Sequence, residues 1–403
     1  MSAGAYLDVA SGVDHLYPCF RRAEIAFSHG EGAWLIATDG RRYLDFATGI
    51  AVTGLGHSHP ALVEALQRQG ERLWHVSNAV RIPEQEALAR LLCGKTFADR
   101  VFFNNSGAEA VETAIKTARR RQFFAGWPER SDIVTFAGAF HGRTLATLAA
   151  GGQAKYLEGF GPPAPGFKAV PFGDLDALDS ACGPETAAVL LEPIQGESGV
   201  RKLEASTLAH IRDLCDRRGI LLIFDEVQTG IGRTGRLFAY QGVGVTPDIL
   251  ATAKGLGNGF PVAACLANEK AAAAMRPGTH GSTFGGNPLA MAIARKTVEI
   301  VADETFLGDV RRKGGKLFTG LQALVDDFPD VFEEARGEGM LLGLMCRPPV
   351  ETVIEAARAN GLLSVTAGDN VLRLLPPLIL SDEEIEEGLR RLGLAAQSLR
   401  VEP

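Results

Sequence analysis

The chain is short of the features that mark unusual proteins. Its six cysteines, Cys19, Cys93, Cys182, Cys215, Cys265 and Cys346, form no C-x-x-C pair. That argues against a disulfide framework or a thiolate zinc site, and for small buried side chains in a reducing compartment. No run of about 18 apolar residues occurs, so no membrane-spanning helix is expected. The opening MSAGAYLDVASGVDHLYPCF carries acids and has neither a basic start nor an apolar core, unlike a secretory leader. Positive charge is in deficit as well. Forty-one Lys and Arg against 48 Asp and Glu leave a formal charge of −7, the wrong sign for a protein that lives on nucleic acid or anionic membranes. Internal repeats and low-complexity linkers are missing. What remains, 46% hydrophobic and 22% charged residues over 403 positions, is an ordinary folded composition with length for two cooperating domains. A cytoplasmic enzyme working on small molecules is the expectation.

The first legible local structure is a hairpin, in GAWLIATDGRRYLDFATGI, where Asp39-Gly40 separates two alternating runs. After Pro60, Leu62, Leu66 and Leu73 fall at roughly helical spacing. Beyond residue 100 the pattern changes to seven short apolar runs, VFFNN, DIVTF, KAVPF, AAVLLEP, ILLIFDEV, DILATAK and PVAACLAN, separated by helix-length segments. Runs apolar on both faces predict an α/β fold: a mostly parallel seven-stranded sheet with helices on each face. Ligands of such sheets bind beyond the carboxyl ends of the strands. Near the C-terminus, Ser381 and Glu384 form a capping box, and Ile385, Leu389 and Leu392 give the helix an apolar face. Residues 57–290 are expected to form the large domain, with 1–56 and 291–403 making a smaller α+β domain from both chain ends.

Four segments carry chemistry. ILLIFDEVQTGIGRTG ends an apolar strand on Asp225 and Glu226, and a carboxylate there needs a partner, although acids are also common in turns. The same segment contains G-x-G-x-x-G at Gly230, Gly232 and Gly235. A nicotinamide reading of it is disfavoured, because acids intervene after the strand and no clear helix start follows to receive a pyrophosphate. Lys254 closes the apolar run DILATAK ahead of three glycines; a surface lysine is the bland alternative, and burial would lower its pKa and suit it to imine formation. Ser106-Gly107 leads from a strand into a helical segment, as an ordinary N-cap or as a phosphate cradle. Phe140, His141 and Arg143 follow another strand, where the phenylalanine could equally be core and the histidine need not be catalytic. Together, cradle, aromatic face, strand-end acid and lysine are the parts that hold a phosphorylated pyridine aldehyde.

These residues resemble the class-III, or ω-amino-acid, aminotransferases of the fold-type I pyridoxal-phosphate enzymes. The likeness runs from GRRYLDFATGIAVTGLGHSHP through NSGAEAVETAIK, FHGRT, LLEPIQGESGV, FDEVQTGIGRTG and ATAKGLGNGFP to HGSTFGGNPLA. The resemblance implies pyridoxal 5'-phosphate held as a Schiff base on Lys254, with Asp225 at the pyridine nitrogen and Phe140 stacked on the ring. Gln228 is implied near the phenolic oxygen, and Ser106 and Gly107 at the phosphate. Thr283 is implied to reach the cofactor of a neighbouring subunit, making a homodimer with shared sites.

For substrates the resemblance implies Arg143 at the far carboxylate, Arg373 at the α-carboxylate of glutamate, and Glu197 covering Arg373 when an ω-amine is bound. Ser282 is implied to touch the amine substrate. The wording favours the branch acting on N2-acetyl-L-ornithine and 2-oxoglutarate in arginine synthesis, with succinylornithine, ornithine, 4-aminobutyrate and N-succinyl-diaminopimelate as rival donors. Arg81 is a departure, placing a charge where relatives often carry aromatic residues near the substrate entrance. His57 and His59 lie in a glycine-rich turn without further metal-ligand candidates and read as structural.

Overall fold

Because strand side chains alternate between faces, a run that is apolar throughout must be covered on both sides. In the computed structural model, which describes residues 15–400, the seven runs form one sheet. Its strands are Arg100–Asn104, Asp132–Phe136, Phe167–Val170, Thr186–Leu191, Leu221–Asp225, Ile249–Thr252 and Ala263–Ala267. From edge to edge the order is 100–104, 263–267, 249–252, 221–225, 186–191, 132–136, 167–170. The sheet is mostly parallel, and only 263–267 runs against its two neighbours. On one face, Leu221, Ile223, Ile249 and Ala251 meet Ala110, Val111, Ala114 and Ala118 of the helix Gly107–Phe124. On the other, Leu222, Phe224 and Leu250 pack with Leu88, Leu208 and Met291 from the helices Pro83–Lys95, Ala205–Arg218 and Pro288–Val301.

The hairpin forms where Asp39-Gly40 placed it, with Trp34 opposite Leu44 and Leu35 opposite Tyr43. Strand Leu362–Leu363 then adds alongside Arg42–Asp45 in parallel, so distant parts of the chain share one four-stranded sheet. A second, antiparallel sheet joins Phe332–Glu338, Leu341–Cys346, Val371–Leu374 and Val365–Ala367. Leu44 and Phe46 share a core with Leu317, Phe332, Leu344 and Leu392, and Trp34 Nε1 donates to Glu384 Oε1 at 2.8 Å.

Two expectations need correcting. The 290/291 division falls inside the helix Pro288–Val301, whose Ala290, Met291, Ala294 and Val298 belong to the core of the large sheet. Apolar burial therefore keeps this helix with the preceding residues. The helix after Pro60 ends at Gly70 and buries Leu62, but Leu66 and Leu73 remain 39% and 46% exposed. The opening segment read for a leader lies mostly outside the described residues.

Candidate active site

Five parallel strands end around one cavity of about 530 Å³. Asp225 is the last residue of its strand and, by alternation, shares the face of Leu221 and Ile223, where the helix Gly107–Phe124 begins. It is 3% exposed, and its Oδ2 lies 2.8 Å from His141 Nδ1. Its Oδ1 accepts from the Val227 amide at 3.0 Å. His141 Nε2 is itself buried without a partner. The adjacent Glu226 takes the opposite part: it turns into the protein and accepts from Ala239 N, Tyr240 N and Thr229 Oγ1. Burial raises its pKa to about 7 despite these donors.

Lys254 lies two residues past the 249–252 strand and lines the same cavity. Its φ of 44° is in the left-handed region, a conformation costing a non-glycine residue about 1 kcal/mol or more and concentrated at functional sites. The following glycines are required in part by crowding, since a Cβ on Gly257 would sit 1.9 Å from the Phe260 carbonyl oxygen. Burial brings the Lys254 ammonium down to about 8, against the pull of nearby Glu197. The shift from 10.5 to about 8 corresponds to roughly 3 kcal/mol disfavouring the charged amine.

At the mouth of the cavity Ser106 caps the helix Gly107–Phe124. Its hydroxyl accepts from Glu109 N, and Glu109 returns a carboxylate to the Ser106 and Asn105 amides. An 18-residue helix directs its positive end and free amides here, a setting for a phosphate. Phe140 also lines the cavity, its amide donating to Glu192 Oε2 at 3.0 Å. Arg143 is exposed, its guanidinium 4.0 Å from the Tyr156 ring centroid and 5.2 Å from that of Phe140. Arg373 is 1% exposed and donates to Glu197 Oε1 at 2.7 Å, Gln228 Oε1 at 3.1 Å and the Thr366 carbonyl at 3.3 Å. Burial works against the Glu197 carboxylate, but Arg373 outweighs it and holds the pKa below the usual range. Gly196 admits this arrangement, for a Cβ there would lie 1.8 Å from Gln228 Oε1.

An amine at the lysine, a carboxylate for a ring nitrogen, an anion cradle and an aromatic wall thus converge within one chain, and they fit pyridoxal phosphate. Ser282 and Thr283 are not part of this cavity. Ser282 Oγ accepts from Asn105 Nδ2 at 3.3 Å and faces a separate pocket with Asn78 and His280, while Thr283 is exposed. The Gly230–Gly235 segment is filled by protein: Arg233 is buried and donates to the Met340 carbonyl at 3.1 Å, and Arg311 to that of Gly235 at 2.7 Å. Only a four-residue helix, Tyr240–Val243, follows. Arg81 is paired with Glu86 at 2.7 Å outside the cavity. His57 Nε2 lies 2.8 Å from Asp45 Oδ2.

Sequence reading passed over Glu192 and underrated His141. Glu192 is 6% exposed in the cavity wall, and its pKa is driven well up, first by burial and then by Asp225. It directly follows the apolar strand Thr186–Leu191, much as Asp225 closes its own, so the same signal was available. Tyr156, beneath Arg143, carries no comparable mark.

A family model described as aminotransferase class-III matches residues 20–395. An acetylornithine aminotransferase from Mesorhizobium japonicum is 58% identical over 95% of this chain and 96% of its own length. One from Brucella melitensis is 56% identical over 97% of each. Among solved structures, N-acetylornithine aminotransferase from Stenotrophomonas maltophilia has a TM-score of 0.83 at 38% identity, covering 94% of this chain and 96% of that one. The ornithine aminotransferase from Toxoplasma gondii has a TM-score of 0.92 at 32% identity, covering 96% and 93%.

Proposed function

The chain belongs to the class-III aminotransferases, pyridoxal-phosphate enzymes, and we propose that it moves the terminal amino group of N2-acetyl-L-ornithine to 2-oxoglutarate. The products are N-acetyl-L-glutamate 5-semialdehyde and L-glutamate, and the exchange serves arginine synthesis. The observation that carries a two-substrate reading is the buried Arg373–Glu197 pair at 2.7 Å. Glutamate reacts at the carbon bearing its carboxylate and needs the free guanidinium. An ω-amine brings no carboxylate there, and Glu197 then covers a charge that would otherwise be stranded. The choice of acetylornithine is supported by the names of relatives at 54–58% identity.

When bound, pyridoxal phosphate supplies an electron sink that weakens a bond at the amine-bearing carbon. Lys254 Nζ is its attachment point and the base that moves the substrate proton, a role suited to an amine with pKa about 8. Asp225, fixed by His141 and the Val227 amide, holds a proton on the ring nitrogen. Ser106 and Gly107 bind the phosphate, Phe140 covers the ring and Gln228 approaches the phenolic oxygen. Arg143 receives the far carboxylate with the planar fork that suits it. A homodimer is part of the proposal, with Ser282 touching the amine substrate and Thr283 serving the partner's cofactor. Support comes from the exposed Thr283 and Phe284 and from exposed apolar side chains at Leu66, Leu73, Trp74 and Val80. Six free cysteines suit a reducing, cytoplasmic setting.

Single-turnover amino transfer, followed by loss of the cofactor's visible absorbance, tests the substrate. Acetylornithine should react at least about 10-fold faster than ornithine, 4-aminobutyrate, succinylornithine or N-succinyl-diaminopimelate. Equal rates for acetylornithine and 4-aminobutyrate would overturn the choice.

A further inference from the structure

The helix that offers its N-terminus to the cofactor presents a different surface about 20 Å further along, at 1.5 Å per residue from Gly107 to Arg120. There Lys116, Arg119, Arg120 and Arg130 line a cavity of about 380 Å³ together with Phe123 and Thr279, and no acidic residue lines it. In a chain of net charge −7, four cations converge on one hollow.

Each is held in place by something other than a carboxylate. Arg119 Nε donates to the Ser131 carbonyl at 2.8 Å, and its guanidinium lies 5.1 Å from the Phe167 ring centroid. Arg120 Nε donates to the Ala274 carbonyl at 2.8 Å and packs 4.7 Å from the Phe124 ring. Arg130 Nη1 donates to the Gly219 carbonyl at 3.2 Å and packs 4.7 Å from the Trp127 ring. Lys116 Nζ donates to His280 Nδ1 at 2.8 Å. Asp132, whose charge reaches Arg119, is taken up by Lys168 at 2.8 Å. Among the described residues none of the four cations has an ion-pair partner, and the terminal nitrogens of Arg120 have no acceptor.

Cations near a helix C-terminus are favoured by the helix dipole, which accounts for Arg121 in the last turn. It does not account for Arg130, which lies beyond the helix, or for three guanidinium planes immobilised by carbonyls and aromatic rings. Half-buried Arg119 loses solvation, which lowers its pKa against the weaker, more distant pull of Asp132 and Glu112, and with no carboxylate in direct contact such a site favours an anion.

We propose that this cavity binds a small oxyanion carrying two or more negative charges, a phosphate ester or a polycarboxylate, with Phe123, 58% exposed, against its apolar part. Guanidinium forks fixed in advance match such groups bidentately and lose little freedom on binding. The site shares no lining residue with the Lys254 cavity, so it stands whether or not the substrate reading above holds.

The test is calorimetric titration of inorganic pyrophosphate and, separately, citrate into cofactor-saturated enzyme. Saturable binding of at least one, at about one per chain and weakening with salt, is the expected result. Which anion binds more tightly distinguishes phosphate from carboxylate preference. Arg120→Gln combined with Arg130→Gln should weaken binding by at least about 10-fold, with turnover in the absence of the anion unchanged. Lys116→Gln, at an exposed position that does not threaten folding, should weaken it about 3-fold, and Arg143→Gln at the other cavity should leave it unaltered. Absence of saturable binding at millimolar anion, binding that survives both the double and the Lys116 variants, or binding abolished by Arg143→Gln instead would each overturn the proposal.

Discussion

On the helix Asp382–Ser398 acids and bases meet one another in water, whereas around Lys254 the same residue types are held out of it. Glu387 accepts from Arg390 at 2.7 Å and Arg391 at 2.6 Å, Asp382 accepts from Arg312 at 2.9 Å, and Glu386 from Lys316 at 2.7 Å. These pairs are reached by water, and removing one changes little. In the cavity, Lys254 is brought down to about 8 and Glu192 is driven well up, in both cases first by burial. Arg373 and Glu197 satisfy one another, as do Asp225 and His141. Charge on the surface is thus nearly free and does no chemistry. Charge in the cavity opposes folding locally and leaves groups ready to exchange protons.

The comparison breaks most visibly at Lys254. Lys254→Ala should lower turnover by at least about 10⁴-fold while leaving noncovalent cofactor binding measurable. In the cofactor-free protein, volume-matched Lys254→Met should melt at the same temperature as the parent or higher, since it removes a desolvated charge. A lower melting temperature would mean that the lysine is structural, and the contrast with the surface helix would fail. The pH dependence carries a sign of its own. The free amine is the reactive form, so the rate of cofactor uptake should climb with pH to about 8 and then level off. A rate still climbing through pH 10 would point to a solvated lysine.

Asp225→Asn comes next, with a loss on the order of 10³-fold in turnover and little change in melting temperature, because His141 and the Val227 amide can still bond an amide side chain. Glu226→Gln, one residue away, should do the reverse. It keeps turnover per folded molecule but turns one of the two acceptor oxygens into an NH2, so that either the Ala239 or the Tyr240 amide loses its acceptor, lowering stability by about 1–3 kcal/mol. Glu197→Gln should slow the ω-amine half-reaction by about 10-fold relative to the glutamate half-reaction, since Arg373 is then left uncovered. Equal slowing of both halves would reduce the pair to a structural one.

The cavity was legible wherever the chemistry is local. Short apolar runs gave away all seven strands, including the partly exposed edge strands Arg100–Asn104 and Phe167–Val170, and the polar residue closing a run marked Asp225 and Lys254. Ser106 announced its helix as an N-cap serine between an apolar run and a helical segment, and the structure adds the capping box with Glu109. What stayed hidden depends on residues far apart in the chain. Glu197 reaches Arg373 across 176 positions, and His141 reaches Asp225 across 84; resemblance, not spacing, suggested the first, and nothing local suggested the second. The glycines after Lys254 were visible in the sequence, but nothing there showed that the lysine itself adopts left-handed backbone. Division at 290/291 failed for a related reason: the helix Pro288–Val301 carries its apolar stripe toward a core assembled from residues 200 positions earlier as much as from its neighbours.

The smallest effect tests the other half of the comparison. Glu387 is held at about 2 by its arginine donors, and such a shift read at face value would make it a large stabiliser. Its carboxylate and its two partners are all reached by water, with side-chain exposures of 28% for Glu387, 58% for Arg390 and 14% for Arg391. Solvent screening and the entropy of fixing long side chains therefore reduce the contribution. Glu387→Gln should cost less than about 1 kcal/mol, with turnover unchanged and most of the difference gone in high salt. The sign against pH follows from the lowered pKa: what stability Glu387 adds is present above its unfolded pKa of 4.5 and is lost as pH falls toward about 2. A loss of several kcal/mol at neutral pH, insensitive to salt, would show that this helix relies on its charges as the cavity does, and the line drawn between the two regions would have to move.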